Sequence, residues 1–90
     1  MAKAIVDPEH LARFAANLRR FTADLRERSG TIQQQFARLG ETWRDQEQER
    51  FAEEFTVMMA ALERFSAAAD AQVPVLMRKA EAIKTYLEGR

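Results

Sequence analysis

The sequence predicts an all-α fold, an antiparallel two-helix hairpin (helix-turn-helix), and three observations carry the prediction. Apolar residues recur at strict seven-residue spacing in the first half, at Leu11, Leu18, Leu25, Ile32 and Leu39, and again in the second, at Phe55, Leu62, Ala69, Leu76 and Ile83. Such a column stays on one face only in a helix packed along its length. Helix breakers are scarce, with 3 Gly and 2 Pro in 90 residues. The balance of 47% hydrophobic and 31% charged residues is that of long amphipathic helices rather than strands. Residues 1–90 have room for one domain, at a size where a lone chain buries barely enough surface to be stable.

Helix 1 is expected over about residues 8–39. Asp7-Pro8-Glu9 reads as its start, because Asp caps free amides, Pro suits the first helical position and Glu favours the first turn. Phe14 and Phe21 flank the leucine column on one side, whereas Ser29 and Phe36 flank it on the other, and the switch falls at Gly30. Gly in a helix interior costs about 1 kcal/mol relative to Ala, so Gly30 marks either a mild bend or a close approach by another backbone. Gly40 is expected in the left-handed position that ends a helix.

The turn is placed at about residues 40–45, with Trp43 in it and Thr42 as the expected cap of the next helix. Helix 2 is expected from about 45 to 87. Its column is flanked by Phe51, Met58 and Phe65 early and by Val73, Ala80 and Leu87 late. Pro74 removes a backbone hydrogen bond and crowds the carbonyl four residues back; apolar spacing resumes beyond it, which predicts a kink rather than a break. Antiparallel pairing sets Ile32 by Phe55, Leu25 by Leu62, Leu18 by Ala69 and Leu11 by Leu76, with the bend at Trp43-Arg44. A one-heptad slide would centre the bend on Gly40; the first register is preferred because it keeps Trp43 at the bend.

Each helix is roughly 50 Å or longer at 1.5 Å per residue, so the product is a rod. Two helices packed along one seam leave its flanks open, and those flanks are apolar. Covering them calls for a second hairpin, giving a dimeric four-helix bundle. The expected packing and dimer core is Leu11, Phe14, Leu18, Phe21, Leu25, Ile32, Phe36 and Leu39 on helix 1. On helix 2 it is Phe51, Phe55, Met58, Leu62, Phe65, Ala69, Val73, Leu76, Ile83 and Leu87.

Other classes of function find little to stand on. Lys plus Arg (14) equals Asp plus Glu (14), so no overall field draws the chain to nucleic acid. No apolar run approaches the roughly 20 residues that span a bilayer, and the N-terminus lacks a cationic segment followed by an apolar core. There are 0 Cys, so no disulfide or thiolate chemistry exists. His10 is the single histidine, so no His-carboxylate metal site can form within one chain. Glu47, Glu49, Glu53 and Glu54 have nothing apolar around them to shift a pKa, and Ser29 and Ser66 have no base near in sequence. No catalytic residue, cofactor or metal is expected. Trp43 reads either as a plug over the end of the core or as an anchor for a partner.

A hairpin of under 100 residues with Trp at mid-chain resembles the WXG family of small proteins handled by type VII secretion systems, of the early-secreted-antigen kind. Trp43 and Phe51 fit the family's Trp-x-Gly turn and the aromatic that follows it in helix 2, and LGETWRDQE is similar to members with an acid in place of the glycine. The turn motif here is Trp43-Arg44-Asp45. The resemblance implies a non-enzymatic protein: a homodimer, or a heterodimer with a related small helical protein or a larger effector. It also implies synthesis in the cytoplasm and a route out that uses no cleaved signal peptide. Tyr86-Leu87-Glu88-Gly89-Arg90 departs from the Tyr-x-x-x-Asp/Glu export signal by its Arg, leaving Tyr86 as a degenerate remnant of it or as a packing residue. The competing expectation is an intracellular helical adapter for an unlike partner, unrelated to secretion.

Overall fold

The computed structural model describes residues 6–89; residues 1–5 and Arg90, on which the readings of the N-terminus and of the last motif position partly rest, lie outside the described residues. Two helices make the structure, α1 (Pro8–Leu39) and α2 (Gln46–Glu88), laid antiparallel in a rod of 67 × 25 × 16 Å. At 1.5 Å per residue the 43 residues of α2 account for nearly all of that length. The radius of gyration is 20.1 Å, where a compact chain of this size would have about 12 Å.

Local chemistry sets the helix ends. Asp7 caps α1: its carboxylate accepts from the amides of Glu9 at 2.9 Å and His10 at 3.4 Å, with Pro8 at the first helical position. The Glu9 amide is the main cause of an Asp7 pKa below its ordinary value. At the other end the expectation for Gly40 is corrected. Its φ is −66°, in the right-handed region, because the chain leaves α1 through tightening turns. Glu41 N–H donates to Arg38 C=O, and the amides of Thr42 and Trp43 both donate to Leu39 C=O. Those bonds satisfy the last carbonyls of the helix without a left-handed step.

The expected cap of α2 is corrected as well. Asp45, with extended backbone, accepts from the Gln48 amide at 2.9 Å, while the Thr42 hydroxyl turns back to Leu39 C=O. A carboxylate one residue before the helix reaches its third amide, which a hydroxyl three residues earlier cannot do. Pro74 lies inside α2, which runs on without interruption. Apart from its chain neighbours and the adjacent backbone of α1, Gly30 has no described atom within 4 Å of where a Cβ would stand, so α2 makes no close approach there.

The seam has two columns from each helix. Beside the leucine column of α1 runs a column of smaller residues at the same seven-residue period, Ala15, Thr22 and Ser29, ending in Phe36. On α2 the matching second column is Ala52, Met59, Ser66, Val73 and Ala80. The buried residues are Ala15, Thr22, Phe55, Ser66, Ala69, Val73 and Ala80, nearly all of them small, which lets the helices approach closely. Cross-helix contacts fix the register. Phe36 lies 5.4 Å from Phe51 and 4.8 Å from Phe55, ring centre to ring centre, and Phe21 meets Phe65 edge-on at 6.0 Å. A bend centred on Gly40 would set Phe36 opposite Arg44 instead, so the slid register is excluded.

Candidate functional site

A seam between two helices has two open sides, and the sequence treats them differently. Phe14 and Phe21 of α1 and Phe51, Met58 and Phe65 of α2 occupy equivalent heptad positions, which in an antiparallel pair meet on one side of the seam. The Phe21–Phe65 contact confirms it. All five are exposed, as are Ile32 and Leu39 nearer the bend. Together they form an apolar face along the rod. Near the bend it deepens into a notch of about 250 Å³ lined by Ile32, Gln35, Phe36, Leu39, Phe51 and Phe55. Trp43 closes that end half-buried, its ring 6.2 Å from Phe51.

The opposite side is polar and is tied across its middle. Arg26 forks onto Glu63, with Nε 3.2 Å from Oε1 and Nη2 3.1 Å from Oε2, while its Nη1 donates to Asp70. The buried Thr22 hydroxyl lies 2.7 Å from Asp70 Oδ1 and 3.0 Å from Arg19 C=O. It has one proton to give, and the carboxylate is the stronger acceptor. The Arg26 hydrogen bonds lower the pKa of Glu63; the Thr22 hydroxyl, then Arg26, lower that of Asp70. The strap is solvent-accessible, so its strength is screened, but it fixes which residues of the two helices stand opposite one another.

Among the described residues one buried side-chain group in the seam has no hydrogen-bond partner. Ser66 is 1% exposed and its Oγ makes no hydrogen bond. It borders a small notch on the polar side, about 220 Å³, together with Ser29, Gly30, Met59 and the Arg26–Glu63 pair.

The packing residues expected from sequence sort into three groups. Phe55, Ala69 and Val73 are buried. Leu11, Leu18, Leu25, Phe36, Leu62, Leu76 and Ile83 are half-buried. Phe14, Phe21, Ile32, Leu39, Phe51, Met58, Phe65 and Leu87 are exposed, so within one chain they line the apolar face rather than a core. Sequence reasoning missed Ala15, Thr22 and the strap. The signal for the first two was present, because stepping back by sevens from Phe36 lands on Ser29, Thr22 and Ala15. Tyr86 is exposed in the last turn of α2. His10 Nδ1 stands 3.8 Å from Asp7, and among the described residues no three His, Cys, Asp or Glu gather as a metal site.

This geometry can bind another apolar surface. The family model for proteins of 100 residues with WXG matches residues 4–86, both helices and the bend between them. The chain belongs to the WXG100 family. WXG100 proteins are small helical proteins associated with type VII secretion substrates; they act as dimers or as protein partners and are not enzymes as a kind. No curated protein and no solved structure matches the chain significantly. Among the described residues no helix is long and apolar enough to cross a membrane. In this WXG100 member the third motif position is Asp45 rather than Gly, and the bend explains why that is tolerated. No described residue has a positive φ, so nothing in the turn requires glycine, and the carboxylate at that place caps α2.

Proposed function

We propose that this chain works as a homodimeric four-helix bundle in type VII secretion, as a substrate or as an adapter that accompanies one, and that it catalyses no reaction. The observation that carries the reading is the uncovered apolar face. The accessible surface is 7186 Å², against about 5,400 Å² for a compact monomer of this mass. The excess of about 1,800 Å² per chain, if two copies cover it for each other, falls in the range of obligate homodimers. The family adds the secretion context, and Trp43, read as the motif tryptophan, stands beside Phe51 at the end of that face, which supports the reading.

Light scattering tests the assembly: a mass near twice 10.4 kDa is expected, and a folded monomer at micromolar concentration would overturn it. Export tests the setting. The protein should leave cells that carry a type VII machine and stay inside cells whose secretion ATPase has been deleted; equal release from both would remove the secretion role.

A further inference from the structure

We infer that Phe14 of one copy seats in the apolar notch beside the bend of a second copy laid antiparallel to it, while the second copy's Phe14 fills the first copy's notch; this rests on the homodimer reading above. Five of the phenylalanines each meet another aromatic ring within the hairpin: Phe21 with Phe65, and Phe36, Phe51 and Phe55 with one another. Phe14 has no ring neighbour among the described residues and is 57% exposed. It is a knob that its own chain leaves bare.

The matching hole is on the same face. The notch of about 250 Å³ is walled by Ile32, Phe36, Leu39, Phe51 and Phe55, with Gln35 at its rim. An apolar cavity of roughly 150 Å³ already accommodates benzene, so one phenyl ring has room. Ile32, Leu39 and Phe51 are 40–48% exposed, and a ring placed between them would bury apolar surface on all three.

Positions along the rod make the pair reciprocal. Phe14 and Phe36 are 22 residues apart on one helix, roughly 33 Å. A two-fold axis that exchanges their levels crosses α1 at Leu25, within two residues of the midpoint of Pro8–Leu39. Both knobs therefore meet both holes when the rods overlap almost end to end. A knob entering a hole by simple translation would instead stagger the copies and propagate a fibre; the reciprocal arrangement closes.

Charge favours the same orientation. Residues 35–54, at the bend, carry three basic and six acidic side chains. At the open end, residues 8–20 and 71–89 carry six basic and three acidic. Antiparallel copies set each acidic end beside a basic one, and parallel copies set like beside like.

The test uses the full chain with Phe14→benzoylphenylalanine, which keeps an aromatic ring at the knob and cross-links to what it touches on illumination. The covalent dimer is expected to carry its adducts within residues 32–39 and 51–55 of the other chain. Alongside it, Phe14→Ala is expected to raise the dimer dissociation constant about a hundredfold in sedimentation equilibrium, both knobs being lost at once. Val57→Ala, an equally apolar and exposed residue outside the notch and its knob, is expected to leave that constant unchanged. Adducts within residues 8–20 or 71–89, or no covalent dimer from a protein that is dimeric by mass, would overturn the knob-and-hole arrangement while the homodimer stands. A monomeric wild-type chain would overturn both.

Discussion

Replacing Ser66 with Ala should make the protein more stable, although the residue is among the most buried in the chain. Ser66 is 1% exposed and its hydroxyl has no hydrogen-bond partner among the described residues, so no protein group replaces the hydration it loses on burial. A buried hydroxyl left in that state costs about 1–3 kcal/mol, and Ala is also the better helix former by up to about 0.5 kcal/mol. Against this stands only the small packing contact of one oxygen. A net gain of about 1.5 kcal/mol is expected, which raises the melting temperature by roughly 6–12 °C for a domain of this size. The assay is thermal unfolding followed by circular dichroism at one fixed protein concentration, with urea unfolding to separate a change in midpoint from a change in slope. Thr22 supplies the internal contrast. It is equally buried, but its hydroxyl is bonded to Asp70, so Thr22→Ala should lower stability by about 1 kcal/mol. The reasoning fails if Ser66→Ala is neutral or destabilising, or if the two substitutions shift the midpoint in the same direction.

Three further outcomes follow from the same structure. Val73→Ala removes two methyl groups from the tightest point of the α2 seam, where the side chain is 1% exposed, and should cost about 2–3 kcal/mol in urea unfolding. Asp45→Ala deletes the α2 cap and should cost about 1 kcal/mol, whereas Asp45→Asn should recover most of it. Glu63 and Asp70 have folded-state pKa values depressed below their ordinary 4.5 and 3.8. A depressed carboxylate contributes stability that is complete above its unfolded pKa and is lost as pH falls through the folded one. The stability difference between wild type and Arg26→Met should therefore be constant above about pH 5 and shrink steadily as the pH falls below 4; a difference unchanged down to pH 2 would show that the strap contributes nothing.

Much of the fold was legible because its repeating unit is long and strongly periodic. Leu11 to Leu39 and Phe55 to Ile83 mark one column on each helix, and Asp7-Pro8 announces the first start without ambiguity. The second column was read only in part, at Ser29, Phe36, Val73 and Ala80, because Ala15, Thr22 and Ser66 do not look like core. They are buried for being small, and smallness is a property of the gap between helices rather than of either helix alone. The phenylalanines misled in the opposite sense. Phe14, Phe21 and Phe65 have the hydrophobicity of core residues, but two cylinders touching along a line can shelter only the side chains that point at the line. The strap was beyond reach for a different reason: Arg26 and Glu63 are 37 positions apart, and among 28 charged residues only the register selects that pair. At the bend the glycine rule gave way to hydrogen bonding, since successive tightening turns closed α1 where a left-handed residue was expected.

The rod's shape bears on how such a molecule could travel. Seen end-on it presents a profile of only 25 × 16 Å along its whole 67 Å length, and no loop or domain among the described residues protrudes from that outline. A passage wide enough for this cross-section would admit the hairpin lengthwise with its helices intact. Stacking a second layer on the apolar face nearly doubles the shorter dimension, so a conduit whose bore lies between the two sizes would pass single chains and hold back pairs, whereas a wider one would pass both.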